Sequence, residues 1–322
     1  MEKLLSIIVP VYKVEAYINK CLDSLVMDET DLMERLEVII VNDGTPDRSA
    51  EMSREYVKRY PGTFRQIDKE NGGHGSAWNV GLKEATGKYI RFLDSDDWFT
   101  NLERLLIDLG RCGSDIVFNP FVKYYSDENR SVIIETPTTP GTADFPKTWG
   151  CNNVNFWGTT YKTDILKPLL PLFAEGVMYD DFILTWAPLV YGNSCYALDY
   201  VVYNYLIGRK DQTMNATRQR RGAVSYVKCF DQYELVRSRV DTLSTPPHRL
   251  DLIDSAIKRY AYYIFTTLIY LPYREAKEKS KYLWDKYIAD SPNKSQLEKR
   301  FDKLPFSLFY SAEHLRRSLL HR

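Results

Sequence analysis

The sequence predicts an α/β fold, a doubly wound and mainly parallel sheet followed by a C-terminal helical region. Three observations predict it. Residues 1–120 alternate short apolar runs with amphipathic stretches, the pattern of repeated βα units. Each of the main apolar runs ends in polar, acidic or glycine-bearing residues, as strands do where an open sheet binds a ligand at their carboxyl ends. From Arg218 onward the spacing is helical, ending in Leu304–Arg322, whose last residues, Leu315–Arg322, are basic and amphipathic.

The elements follow in order. Leu4–Val11 is a strand. Glu15–Leu25 sets Ile18, Cys21, Leu22 and Leu25 at helical spacing. Leu36–Val41 is a second buried strand. Ser49 is placed to cap a helix running to about Tyr60, with Met52, Tyr56 and Tyr60 on one stripe. Phe64–Ile67 is a short strand, and Gly75–Ala85 is a helix that Gly87 closes. Tyr89–Leu93 and Asp115–Asn119 are further strands, separated by a Leu102–Leu109 helix. Beyond Asn119 the pattern changes. Short β-like pieces, Ile133–Glu135 and Phe156–Tyr161, flank a Pro/Thr-rich loop from Thr136 to Gly141. A helix is expected near Asp164–Leu170, another after Tyr179-Asp180-Asp181, and an extended run over Tyr196–Ile207.

Composition bounds the function. With 322 residues and 44% hydrophobic content the chain has enough apolar surface for a substantial core. Its 43 basic and 43 acidic residues balance, which argues against a general nucleic-acid binder. The five cysteines are scattered, with no Cys-x-x-Cys pair and no zinc-ligand spacing with the four histidines, so reduced structural thiols in a cytosolic protein are expected. The run Leu4–Pro10 reads as a strand rather than a signal peptide, because it is short and lacks a small-residue cleavage site. The longest apolar stretch, Ala261 to Leu271, is shorter than the ~20 residues a bilayer span needs.

The stretch Phe92-Leu93-Asp94-Ser95-Asp96-Asp97-Trp98-Phe99 carries the chemistry. A buried strand runs directly into three carboxylates, which are costly to crowd together unless a cation neutralises them. A hard divalent metal that shares its oxygen ligands with a substrate phosphate is the simplest compensation. The competing reading is a turn and helix N-cap, for which Asp-Ser-Asp-Asp is also well suited. The other strand ends supply further groups suited to a nucleotide. Tyr12 offers a ring to stack on a base, Asp43 a carboxylate to accept from a base N–H, and Asn71-Gly72-Gly73-His74-Gly75 a glycine turn opening a helix.

Taken together, Ser6-Ile7-Ile8-Val9-Pro10-Val11-Tyr12, Val41-Asn42-Asp43-Gly44-Thr45, Asn71-Gly72-Gly73 with Asn79 and Gly81, and Gly87-Lys88-Tyr89-Ile90-Arg91-Phe92-Leu93-Asp94-Ser95-Asp96-Asp97 resemble family 2 glycosyltransferases with a GT-A fold. The resemblance covers roughly residues 4–100, weakens across 150–215 and is absent beyond. It implies inverting transfer of a sugar from a nucleotide-sugar, usually UDP-linked, to a saccharide or lipid-linked acceptor in surface polysaccharide synthesis. It also implies a GT-A catalytic domain over 1–217, with a Rossmann-like nucleotide-sugar-binding half (1–120) and an acceptor half (121–217); the helical pattern beyond it reads as an accessory region over 218–322. By this resemblance Pro10, Tyr12 and Asp43 contact the base, Gly73 and Asn79 belong to the nucleotide site, Asp94 lies near the ribose, and Asp96 ligates Mn2+ or Mg2+. Asp97 has two readings, support of the metal shell or a cap on the following turn.

Met178-Tyr179-Asp180-Asp181-Phe182-Ile183-Leu184 resembles the family's acidic pair, which assigns the catalytic base to Asp181 and a supporting role to Asp180. A helix start enriched in Asp for its dipole is the alternative. One departure stands out: many relatives carry an arginine where this chain has Trp78. Arg209, His74 and Lys210 are the candidates to supply that cation, Arg209 within a loop, Ile207–Thr213, that otherwise reads as a solvated turn.

Other functions are distinguishable. Gly73-His74-Gly75 fails as a dinucleotide fingerprint because Trp78 holds the third glycine's place. An Asp-x-Asp phosphatase usually carries that motif on its first strand, whereas here it follows the fourth. A non-catalytic nucleotide-sugar or glycan-binding protein of the same fold would bind UDP without transfer or donor hydrolysis. The aromatic run Tyr262, Tyr263, Phe265, Ile269 and Tyr270 and the tail Leu315–Arg322 read as a helical region packed on the domain, or as a peripheral contact with the inner face of the cell membrane.

Overall fold

Strands buried on both faces read as nearly continuous apolar runs, and the central strands of this chain do so. β1 (Leu5–Val11) and β2 (Leu36–Asp43) are buried along their whole length, whereas β3 (Phe64–Lys69) exposes polar side chains along its outer edge. β4 (Tyr89–Phe92) is again fully buried. The computed structural model describes residues 2–141, 154–177, 180–208, 216–240, 245–247, 249–251, 253–256, 268, 271–285 and 310–311.

Helices cover both faces of this sheet. α1 (Ile18–Asp23), α2 (Thr30–Arg35) and α3 (Ser49–Arg59) precede β3, and α4 (His74–Glu84) connects β3 to β4. β5 (Trp98–Phe99) and α5 (Leu102–Arg111) follow, then β6 (Ile116–Phe118), β7 (Phe121–Tyr125) and β8 (Arg130–Ile134). After a 3₁₀ turn at Phe156–Gly158 come β9 (Thr159–Lys162), α6 (Thr163–Leu166), a 3₁₀ helix at Asp180–Thr185 and α7 (Pro188–Tyr191). β10 (Cys195–Ala197), β11 (Tyr203–Ile207), α8 (Ala216–Ser238) and α9 (Tyr273–Leu283) complete the described elements.

The main sheet has seven strands in the order β10-β6-β9-β4-β1-β2-β3. All neighbours are parallel except β9, which runs antiparallel to both β4 and β6. Alternation along β1 divides two cores: Ile7, Val9 and Val11 pack with Val38, Ile40 and Leu22 on one face, while Ile8 packs with Ile39, Trp78 and Leu82 on the other. β1 pairs with β2 on one side and β4 on the other, so strand order reverses there and a crevice opens at the carboxyl ends of β1 and β4. A second, four-stranded sheet has the order β5-β11-β7-β8.

Several expectations shift. The extended run Tyr196–Ile207 is two strands in different sheets, and the helix expected over Asp164–Leu170 is one short α-turn followed by a 3₁₀ turn. α2 was not foreseen; of its six residues only Met33 is buried, which leaves little apolar period to read. Ser49 opens α3 rather than capping it: Asp47 Oδ1 accepts from the Ser49 N–H, and Ser49 Oγ accepts from the Val14 N–H. Gly87 does not close α4, which ends at Glu84 with Ala85 as its C-cap. It lies where the chain passes against β1, and a Cβ there would stand 2.6 Å from the Ser6 nitrogen. The accessory region is not detached at its start, since Phe230, Tyr233 and Val236 of α8 join the core cluster that contains Trp78.

Gly87→Ala should therefore push β1 and β4 apart locally. The expected loss is about 1–3 kcal/mol, as for other overpacked sites, read as a lower urea midpoint with an unchanged slope.

Candidate functional site

The crevice at the β1/β4 reversal is an open cleft of about 310 Å³, lined by residues from three strand ends and the start of α4. Pro10 and Tyr12 form one wall; Tyr12 is 43% exposed, with Lys13 Nζ 5.2 Å from its ring centroid. Asp43, Asn71 and Gly73 form the floor toward β2, and Asp94, Ser95 and Asp96 form the opposite wall. The sequence thus placed Pro10, Tyr12, Asp43, Gly73, Asp94 and Asp96 in residues that the fold brings to one cleft.

The carboxylates in this region are held in several different ways. Asp43 is buried and its carboxylate accepts three hydrogen bonds from the protein. Its Oδ1 accepts from Lys69 Nζ at 2.7 Å and the Gly72 N–H at 2.9 Å, and its Oδ2 from the Gly73 N–H at 2.8 Å. Its carbonyl accepts from Asn71 Nδ2 at 2.9 Å. Asp43 therefore shapes the glycine turn as well as lining the cleft. Asp97 turns the other way, away from solvent. Its Oδ2 accepts from the Tyr203 hydroxyl at 2.6 Å and its Oδ1 from the Leu206 N–H at 2.8 Å, so it ties the acidic loop to β11. Burial, then Asp96 and Asp94, push its carboxyl well above the usual range. Neither reading of Asp97 taken from the sequence includes this contact, because its partners lie more than a hundred residues away.

Asn79 does not line the cleft. Its Oδ1 accepts from the Leu172 and Phe173 N–H groups, both at 2.9 Å, and its Nδ2 donates to the Phe173 carbonyl at 2.9 Å and Glu175 Oε1 at 3.1 Å. Both donors and both acceptor positions of the amide are used on one loop. Asn79 thus fixes the segment leading to the acidic pair instead of reaching a nucleotide.

The acidic pair opens the 3₁₀ helix at Asp180–Thr185. Asp180 is only 3% exposed and bonds His74, whose Nδ1 lies 3.0 Å from Asp180 Oδ1. The other ring nitrogen, Nε2, lies 3.0 Å from Asp94 Oδ1. Burial presses the His74 imidazole down, but Asp180 and then Asp94 outweigh it and hold it well above its ordinary value. Its side chain remains 35% exposed, at the cleft. Asp181 is half-buried and is not part of the cleft lining. Burial first and Asp180 second push it up to about 7, with His74 opposing.

Trp78, standing where many relatives have arginine, is a core residue. It packs on His74 at 4.0 Å, Phe92 at 4.7 Å, Phe173 at 5.0 Å and Phe156 at 5.1 Å between ring centroids. Of the three cations considered for that place, His74 is in the cleft, while Arg209 and Lys210 lie outside the described residues. Tyr262, Tyr263, Phe265, Ile269 and Tyr270, the tail at 315–322 and the residues Met178 and Tyr179 also lie outside them. Among the described residues no group of three or more His, Cys, Asp or Glu side chains is arranged to hold a metal ion, and no helix is long and apolar enough to cross a membrane.

An open sheet with one antiparallel strand inserted, and an acidic loop at the strand-order reversal, defines a GT-A-type α/β protein. The chain belongs to glycosyl transferase family 2, whose model matches residues 6–167. It is 43% identical over 134 residues to the uncharacterized glycosyltransferase EpsJ of Bacillus subtilis (strain 168), covering 41% of this chain and 38% of that protein. It is 44% identical over 92 residues to the minor teichoic acid biosynthesis protein GgaB of the same organism, covering 29% of this chain and 10% of that one. The matches thus span well under half the length of these relatives. In three dimensions it resembles S. aureus TarS 1–349, solved in complex with UDP-GlcNAc, with a TM-score of 0.57 at 19% identity over 87% of this chain and 89% of that one.

Asn79→Ala would leave the Leu172 and Phe173 N–H groups without their acceptor. A stability loss of about 1–3 kcal/mol is expected for such unpaired buried groups, measurable by thermal or denaturant unfolding.

Proposed function

We propose that this chain transfers a sugar from a nucleotide-sugar, a UDP-sugar foremost, to a hydroxyl of a saccharide or lipid-linked acceptor in surface polysaccharide synthesis, inverting the anomeric centre. The observation that carries this reading is the cleft at the strand-order reversal, where Tyr12, the Asp43-held glycine turn and the Asp94–Asp96 loop converge. Family membership and the likeness to TarS support it.

In this reading Tyr12 stacks on the base beside Pro10 and Asp43. The Gly72–Gly73 turn lets the diphosphate approach the backbone at the start of α4, where helix N–H groups favour anions. Asp94 lies against the ribose, and Arg209 adds a cation. Asp96 fits a divalent cation by its chemistry: it is a carboxylate at an open cleft beside Asp94, and Mg2+ is commonly held by one or two carboxylates together with substrate phosphates. Bound there, Mn2+ or Mg2+ would act as a Lewis acid toward the diphosphate.

Asp181 takes the proton of the acceptor hydroxyl. The acceptor oxygen forms a bond to the anomeric carbon as the bond from that carbon to the diphosphate oxygen breaks, and UDP leaves with the electron pair. Asp180 orients this segment through His74. Residues 1–120 hold the donor, 121–217 the acceptor, and 218–322 form a helical accessory region. The protein works in the cytoplasm, in peripheral contact with the membrane face where lipid-linked acceptors are met.

Thermal stabilisation by a panel of nucleotide-sugars, with and without Mn2+, tests the reading. UDP-sugars should raise the melting temperature and release UDP. No stabilisation by any nucleotide-sugar and no UDP release would refute it. Asp96→Ala should lower Mn2+-dependent UDP affinity at least about tenfold, since even residues behind a metal ligand commonly matter that much; calorimetry giving an unchanged affinity removes Asp96 from the metal site. Asp181→Asn should keep UDP binding and lose transfer by ~10²–10⁴-fold, the usual range for general base catalysis. A base must be ionised to accept a proton, so wild-type transfer should rise as pH increases through about 7 and fall away below it.

A further inference from the structure

His74 opens α4 with both ring nitrogens committed to carboxylates. Nδ1 lies 3.0 and 3.2 Å from the two oxygens of Asp180, and Nε2 lies 3.0 Å from Asp94 Oδ1. Ionised carboxylates accept and never donate, so both nitrogens must donate, which only the imidazolium can do. The ring is held in place by Trp78, whose centroid is 4.0 Å away. The glycine that follows admits the partner: a Cβ on Gly75 would stand 2.5 Å from Asp180 Oδ2. Asp94 belongs to the cleft wall, whereas Asp180 begins the short helix that carries Asp181. One ring therefore joins the nucleotide side of the site to the segment bearing the base.

We propose that His74 is a positioning residue, a two-ended cationic clamp that holds the Asp180–Asp181 segment against the nucleotide cleft and sets a positive charge beside Asp181. This inference rests on the sugar-transfer reading above. The groups facing Asp181 are Asp180 from its own helix, His74 from α4, Asp94 from the end of β4 and the Tyr205 phenol from β11. Among these side chains only His74 favours the ionised form of Asp181, while Asp180 and Asp94 oppose it. Loss of the imidazolium should therefore delay ionisation of the base to higher pH. Loss of the Asp180 charge should bring it to lower pH.

The test is the pH profile of UDP release by the full chain with the UDP-sugar that the thermal panel selects. Wild type, His74→Gln and Asp180→Asn are compared over a range of about four pH units centred near neutrality. The acid limb should move up by about one unit or more in His74→Gln, the size of effect a nearby charge commonly exerts, and down in Asp180→Asn. Damage to packing alone would not drive the two limbs in opposite directions. An unmoved limb in His74→Gln, or shifts of the same sign in both variants, overturns the proposal. Should wild type release no UDP from any donor, the sugar-transfer reading fails, and the clamp is judged separately by the His74 imidazole resonances. An imidazolium persisting near pH 8 in wild type, and titrating at lower pH in Asp180→Asn, supports it. Deprotonation near the ordinary value of about 6.5 overturns it.

Discussion

Carboxylates crowded at the carboxyl ends of β2 and β4 must each be compensated, and the compensation builds the site. Asp43 spends its oxygens on two backbone N–H groups and a lysine, which fixes the glycine turn. Asp97 spends its oxygens on Tyr203 and Leu206, which fixes the second sheet under the acidic loop. Asp94 and Asp180 share one imidazole, which fixes the loop carrying the acidic pair. Leaving any such group buried and unpaired is costly, so these bonds are constraints on the fold as much as features of a site. Asp96 lines the open cleft together with Asp43 and Asp94.

The same logic explains how segments distant in sequence are assembled. The loop 172–177 meets the glycine turn through backbone, with the Gly176 N–H donating to the Gly72 carbonyl at 2.8 Å, and meets α4 through Asn79. The 3₁₀ turn before β9 is held from below by a fully buried guanidinium, Arg91, which donates to the Trp157 carbonyl at 2.6 Å and to Asn119 and Thr160 side chains at 3.1 Å. Burial lowers Arg91 to about 10, still far above neutrality, so it stays charged. Its single-charge intrusion in an otherwise apolar strand thus has a structural use: it anchors the crossing where β9 inserts antiparallel between β4 and β6.

Much of the sheet was legible because burial on both faces leaves a local signature. Leu4–Val11, Leu36–Val41 and Tyr89–Leu93 are apolar runs whose strands could be placed without knowing their neighbours. The cleft residues at their ends were legible for the same reason: a strand's carboxyl end is a position in sequence as well as in space. What was not legible depends on pairing at long range. Nothing near Asp97 indicates Tyr203, and nothing near Asn79 indicates Leu172 and Phe173. Asn79 therefore read as a ligand-binding residue when its whole hydrogen-bonding capacity is used within the protein. Short elements such as β9 and β10 draw their stability from neighbours rather than from their own pattern, so their placement within the main sheet was out of reach.

His74 lies between these cases. The sequence flagged a missing cation at Trp78 and offered three replacements, but could not choose, because the choice rests on where Asp180 lands. The structure shows why tryptophan and histidine belong together here. A fully buried indole at position 78 takes up the space among Phe92, Phe156 and Phe173 and supports the imidazole on its outer side. An arginine at that position would have to find partners in an aromatic pocket or leave a void in it, either of which is destabilising. Moving the cation four residues earlier, to the first turn of α4, puts it at the cleft and between two carboxylates from opposite sides of the site. The aromatic core and the cationic clamp are therefore one adaptation: replacing Trp78 alone would loosen the ring that carries the charge, and replacing His74 alone would leave a well-packed helix start with two carboxylates facing each other.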